Sequence, residues 1–434
     1  MNIKLKQMWG LVILIVVTLS YLAINVLEVH KSGTEIKKIY FADRMTAAHK
    51  ILIEEYNELH KGKIEVVPID FPNEDFSTNE RKEVLARSLR GRGDGIDIFA
   101  VDIIWVQRFA KWGEPLDNYF TQEEKSKIMD EALESCYYDG ELVAAPLDMG
   151  QGIMYYRQDL LKKLKNGEEI IKKIQDNITW EDFIKLKNQI NLPNPFFTFP
   201  AADYEGLFCI YIEELLSLKP KYFEENGFNF ETPEAEKTLQ LLVDMVNKDN
   251  LTPPAVTQYT ETSSFKYFIN NNGLFLWGWT SYDKDFKDSP VDVAKQVNLR
   301  KAPLPYFKNG RPASILGGWD IMISKFSDKK KEAADFIKFL LSNKSQETFF
   351  QQSAYYPVIK KFYDDPQYVK KYPEIALYKK LLKTGVHRPA HVEYTKYSKI
   401  MSYYFNLAMR KKISVRQALN KCTKAIQLDK LILK

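Results

Sequence analysis

The sequence predicts an α/β protein built as two lobes, and three observations carry that prediction. At 434 residues the chain is longer than one hydrophobic core usually supports. From residue 36 to about 112 it alternates strand-like and helix-like runs in the order of an open sheet with crossover helices. Its hydrophobic content of 45% and charged content of 27% are those of an ordinary globular chain, which argues against disorder.

The elements follow in order. Residues 36–42 (IKKIYFA) read as a first strand. Ala48, Ile51, Leu52, Tyr56 and Leu59 then recur at helical spacing, giving an amphipathic helix that ends near Gly62. Residues 64–69 form a second strand, 80–89 a second helix closed by the glycines of 91–95, and 96–101 a short apolar strand followed by a helix over 103–112. Asp102 falls at the carboxyl end of that strand, where open α/β sheets bind ligands. Tyr138-Asp139-Gly140-Glu141 predicts a turn, with strands at 142–146 and 153–157. Between 150 and 301 the chain reads as mostly helical, including 179–189 and 233–247. Strands at 300–305 and 321–324, a helix at 329–341 and two helices over 394–428, parted near Ile413, complete the reading.

The segment Trp9 to Leu27 carries no charge, and Lys4 and Lys6 precede it. Roughly 20 apolar residues cross a bilayer core, and the flanking lysines predict a cytoplasmic N-terminus. We expect residues 1–8 in the cytoplasm, 9–27 as an uncleaved transmembrane signal-anchor and 28–35 as a linker. The domain that follows is then on the extracytoplasmic side of the cell membrane. A cleaved signal peptide with secretion is the alternative, but Ser20-Tyr21-Leu22-Ala23-Ile24 matches a small-x-small cleavage site poorly. No cysteine lies near the segment, which excludes lipid attachment there.

The net charge of +5 comes from mixed lysines and glutamates without a basic block, so nucleic acid is not an expected partner. Cys136, Cys209 and Cys422 imply no disulfide framework. His387 and His391 flank Pro389 and need not share a face, so no metal or other cofactor is expected. Gly91-Arg92-Gly93-Asp94-Gly95 lacks the Lys-Ser/Thr of a phosphate-binding loop, and no Gly-x-Ser-x-Gly or Cys/His arrangement is visible. The chain is therefore not expected to be an enzyme. The 25 Tyr, 26 Phe and 7 Trp suit cores, and also surfaces that recognise flat, weakly polar faces such as those of pyranose rings.

An ordered set of segments resembles a known family. It comprises Asp97 to Trp105, Tyr138 to Pro146, Gly152 to Leu161, Thr179 to Phe183, Tyr204-Glu205-Gly206, Ala302 to Pro305, Leu316-Gly317-Gly318-Trp319, Ile323 to Lys325, Tyr363 to Pro366, Arg388-Pro389 with Tyr394, and Lys412 to Leu419. Together, from about Lys37 to Lys424, these resemble the extracellular solute-binding proteins of family 1, and within them the trehalose/maltose-binding branch. The resemblance implies a type II periplasmic-binding-protein-like fold with the ligand cleft between lobes. Residues 36–146 and 304–343 would form lobe 1; residues 147–303 and 344–434 would form lobe 2. It further implies a monomer that closes by hinge motion on a mono- or oligosaccharide and delivers it to the permease subunits of an ABC importer. A membrane-anchored glycosidase-like enzyme using a pair such as Asp102 and Asp148, or a sensor coupled to a membrane kinase, are the alternative readings.

The resemblance places site residues at particular positions. Trp319, after the paired glycines ending in Gly318, and Trp279 correspond to aromatic platforms that stack on a pyranose face. Trp277 either widens that floor or packs in the core. Asp102 is placed to accept ligand hydroxyls or to cap the next helix, and Arg388 to donate a planar fork. Arg81, Tyr204 and Glu205 also match family positions, with a solvated helix surface as the other reading. Two departures bear on the ligand. Met45-Thr46-Ala47 stand where the branch has an acid, and Asp148 and Gly150 stand where it has Tyr and Asp, with Asp43 and Arg44 near enough in sequence to restore polar contacts.

Overall fold

Strands β1 (Lys37–Asp43) and β2 (Ile64–Asp70) run parallel, in register from Lys37 opposite Ile64 to Asp43 opposite Asp70. Helix α1 (Ala47–Leu59) joins them. The Thr46 hydroxyl caps its first turn by accepting from the His49 amide. Of the predicted stripe, Ala48, Leu52 and Tyr56 are buried, joined by Ile53, whereas Ile51 and Leu59 are exposed. Helix α2 (Thr78–Arg90) crosses back to β3 (Ile98–Asp102), which pairs with the other edge of β1. In this computed structural model the described residues are 18, 36–71, 78–92, 95–190, 192–282 and 298–428. Apart from Thr18, the predicted anchor at 9–27, the cytoplasmic residues before it and the linker at 28–35 lie outside them. Among the described residues no helix is long and apolar enough to cross a membrane.

The turn at 138–141 is a tight hairpin between β4 (Tyr137–Tyr138) and β5 (Glu141–Leu142). Its two central residues, Asp139 and Gly140, both have positive φ, 50° and 82°, as this turn requires.

Two long antiparallel strands, β6 (Ala145–Arg157) and β10 (Ser314–Ile323), then tie the molecule together. Thirteen residues of β6 span about 43 Å at the usual strand rise. The strand order is β2-β1-β3-β10-β6-β8-β7, with β8 at Phe275–Trp279 and β7 at Phe197–Thr198. Strand β9 (Leu299–Ala302) also pairs with β6, and β11 (Gly385–Val386) with the start of β10. The half containing β1 to β3 takes the end of β10 and the start of β6. The half containing β7 to β9 takes the remainder of β6. Each half is covered by helices, which gives the two-lobed α/β arrangement.

The second lobe packs α3 (Gly167–Gln175), α4 (Trp180–Gln189), α5 (Glu205–Leu218), α6 (Pro233–Asn247) and α7 (Glu261–Asn270) around its sheet. After β10 come α8 (Lys330–Leu340), α9 (Asn343–Ser353) and α10 (Glu374–Leu382), then α11 (Tyr394–Met409) and α12 (Val415–Gln427). The last two pack against each other and on α5 and α6.

Two expectations are corrected. Leu142 closes β5, and Ala145-Pro146 and the run at 153–157 belong to one continuous strand, β6. Residues 344–434 do not all join the second lobe. Helix α9 docks on α1, with the Ser353 hydroxyl donating to Thr46 at 2.8 Å and Phe349 edge-on to His49 at 4.9 Å. Ile359 pairs with Ile128, and Lys360 reaches Asp130 at 2.8 Å. The apolar face of α9 finds its cover on the first lobe.

Candidate functional site

Strands β3 and β10 set Asp102 opposite Trp319 at the end of their ladder. Immediately after Trp319 the register of β10 on β6 shifts by one residue, a bulge that re-aims neighbouring side chains. Gly318 has φ of +143°, and a Cβ there would meet the Asp148 carbonyl oxygen at 2.3 Å, so no other residue fits. The Asp148 carboxylate accepts the Trp319 amide at 3.0 Å, clamping the same two residues. The Trp319 indole is partly exposed. The Arg81 guanidinium lies 4.1 Å from its ring centroid, and Trp105 meets it edge-on at 6.1 Å. Trp279, at the end of β8, is likewise partly exposed, and its ring lies over Gly317.

Arg388 forms a charged knot beside these rings. Its Nη2 donates to Asp102 Oδ1 at 2.6 Å and its Nη1 to Glu205 Oε1 at 3.1 Å. Asp102 also accepts the Ile104 amide at 3.1 Å, so the capping and the ion-pair roles coexist. Glu205 opens α5, where a carboxylate is favoured by the helix dipole. Tyr394 and Ser398 each donate a hydroxyl to it. Burial alone would depress the guanidinium, but Asp102 and Glu205 hold it well above its ordinary value. Since Asp102 ends a first-lobe strand and Glu205 begins a second-lobe helix, the guanidinium bridges the lobes. Its Nε–H is buried without a partner.

Nearby, the buried Asp43 lies 3.2 Å from His49 Nε2 and 3.9 Å from Arg81 Nη1. Burial lowers the Arg81 guanidinium, with Asp43 opposing. Burial pushes the Asp148 carboxyl well above the carboxylate range; the Trp319 amide opposes this, and Asp43 reinforces it. Arg44 opposes, and Asp43 and Asp148 reinforce, the upward push of burial on the Tyr355 phenol, which places these four side chains in one polar group.

Trp319, Gly318, Asp148, Asp102, Arg388, Glu205 and Arg81 are thus assembled into one constellation, with Trp279 on the adjoining strand. Two residues are placed otherwise. Trp277 is 1% exposed and donates its indole N–H to Glu213, so it is core beneath the platform and not part of its floor. Tyr204 turns its phenol inward over Gly206, where a Cβ would lie 2.2 Å from its oxygen. Burial, with Glu261 nearby, raises that phenol well above its usual value, so Tyr204 supports the start of α5 and does not present its hydroxyl. Trp105 and Glu261 were not singled out from the sequence. Trp105 is one apolar residue in the run Ile103-Ile104-Trp105. Glu261, in the first turn of α7, reads as an ordinary dipole partner.

The buried carboxyls predict a pH dependence of stability. Burial raises Glu213 to about 8 and Asp320 to about 7, from ordinary values of 4.5 and 3.8. A carboxyl raised in the folded state contributes fully below its unfolded value and loses that contribution as pH rises through the folded one. The contribution of these two is therefore lost between about pH 4 and pH 8. The melting temperature should fall over that window, and less steeply in Glu213→Gln. An unchanged slope in that variant would contradict the assignment.

Comparison with known proteins places the chain. The sequence profile of the family described as bacterial extracellular solute-binding protein matches residues 39–347. A probable ABC transporter-binding protein of Deinococcus radiodurans is 26% identical over 332 residues, 74% of this chain and 76% of that one. The arabinooligosaccharide-binding protein of Bacillus subtilis is 25% identical over 305 residues, 66% of this chain and 64% of that one. Among solved structures, maltose-bound T. maritima MalE3 superposes with a TM-score of 0.78 at 26% identity, covering 90% of this chain and 99% of that one.

Proposed function

The chain belongs to the bacterial extracellular solute-binding proteins, and from that membership we propose that it is the sugar-capturing component of an ABC importer. A mono- or oligosaccharide would enter between the lobes and be enclosed as they close about β6 and β10. The observation that carries this reading is the pair of partly exposed indoles, Trp319 on the joining strand β10 and Trp279 on β8, which pairs with the other joining strand, β6. Indole faces suit the apolar face of a pyranose. Both cations beside them already have carboxylate partners, Arg388 in Asp102 and Glu205, and Arg81 in Asp43. Such pairs offer hydrogen bonds to a neutral polyol without demanding a charged ligand.

The reading is of binding without chemistry. Asp102 is held by Arg388, and Asp148 by the Trp319 amide. Release of reducing ends from an oligosaccharide would overturn it. The apolar run at 9–27 would tether the binding domain outside the membrane, and the permease subunits would receive the sugar from a monomer. The sugar is tested by melting the purified protein with monosaccharides, maltose and arabino-oligosaccharides. A ligand at a hundred times its dissociation constant should add about 2.7 kcal/mol. A shift with a peptide or polyamine, and with no sugar, would overturn the assignment.

A further inference from the structure

Helix α5 buries two consecutive glutamates, Glu213 and Glu214, 1% and 2% exposed. Each accepts a hydrogen bond from a tryptophan indole, yet their surroundings differ. Glu214 meets Trp180 at 2.6 Å, at the start of α4 within the second lobe. Glu213 instead meets three strands. Its Oε1 accepts the Trp277 indole N–H at 2.5 Å, from β8, and its Oε2 accepts the Ile315 amide at 3.1 Å, from β10. A Cβ on Gly152 of β6 would lie 2.8 Å from Oε2, so that strand passes against the carboxylate without a side chain.

The two oxygens of one planar carboxyl stand apart, so each meets an N–H donor from a different strand. What the carboxylate holds is the base of the aromatic platform. The Trp277 ring packs edge-on against Trp279 at 5.3 Å. Ile315 lies on the same strand as Gly317, which the Trp279 ring covers, and as Trp319. At its first residue the same helix carries Glu205, one of the two carboxylates that hold Arg388.

We propose that Glu213 is a positioning residue for the binding cleft, holding β8 and β10 together so that Trp279 keeps its place beside the Trp319 strand and both stay tied to the helix that bears Glu205. The proposal rests on the reading of this cleft as a sugar site. Glu214 provides the contrast within the same helix: it is equally buried and indole-bonded, but bonds to neither β8 nor β10.

The test compares Glu213→Gln with Glu214→Gln in the full chain. Both should lower the melting temperature, because each disturbs a buried hydrogen bond. Only Glu213→Gln should weaken binding of maltose or arabinotriose, by about tenfold or more, the scale of one buried N–H left unpaired. Equal affinities in the two variants would overturn the proposal. A second readout needs no ligand. In the indole N–H spectrum of the free protein, Glu213→Gln should move the Trp279 resonance, which Glu213 does not touch, whereas Glu214→Gln should move Trp180 alone. A Trp279 resonance unmoved by Glu213→Gln would overturn the proposal even if no sugar bound. Absence of sugar binding by the unaltered protein would instead overturn the functional reading and leave this coupling to the spectrum.

Discussion

Replacing Trp319 with alanine is expected to remove most of the sugar-induced stabilisation while leaving a folded protein. The indole is held by Arg81 at 4.1 Å on its ring and by Trp105 at its edge, and its backbone by Asp148. Removing a fully buried tryptophan costs about 3–5 kcal/mol. Trp319 is partly exposed, so the folding cost should fall below that range, and the clamp on its backbone survives the substitution. The binding cost should be larger in proportion. A central aromatic contact of this type commonly contributes about 2 kcal/mol or more, at least about thirtyfold in affinity. Calorimetric titration beside a melting curve separates the two effects. Trp319→Phe, which keeps an aromatic face, should recover much of the affinity. An unchanged dissociation constant in Trp319→Ala would remove the stacking role from this residue.

The parts of the fold visible in the sequence are those whose local pattern agrees with their tertiary setting. Helix α1, whose buried residues recur at helical spacing, and β3, a short apolar run buried on both faces, are examples. The crossing strands were obscured by glycine. Gly152 and Gly317 look like breaks, yet each sits in mid-strand because a neighbour occupies the space of its Cβ, the Glu213 carboxylate in one case and the Trp279 ring in the other. The site shows the same division. Trp319, Asp102 and Arg388, which the family resemblance singles out, converge. Trp277 and Trp279 stand two apart on one strand and so share a face. What separates them is depth: Trp277 lies one step further under α5, and alternation carries no information about depth. Glu213 was invisible for a related reason. In a fully buried helix such as α5, a lone acid has no pattern that reveals which strands it will meet.

Substituting Arg388 with methionine should be the most damaging single change to the fold, because it leaves two carboxylates facing one another across the lobes. Asp102 and Glu205 now share the guanidinium at 2.6 Å and 3.1 Å. Removing one partner of a buried ion pair costs about 3–5 kcal/mol, mostly as the penalty of the charge left behind. That origin makes a second expectation. The triple variant Arg388→Met, Asp102→Asn, Glu205→Gln removes the stranded charges as well, and should recover a large part of the loss despite carrying more substitutions. Urea unfolding of the single and triple variants measures this directly. Because Asp102 belongs to one lobe and Glu205 to the other, the same repulsion should also part the lobes, and ligand-free Arg388→Met should show a larger radius of gyration by small-angle scattering. A triple variant no more stable than Arg388→Met would mean that the arginine contributes packing and not charge compensation. A radius of gyration that does not change would mean that it does not bridge the lobes in solution.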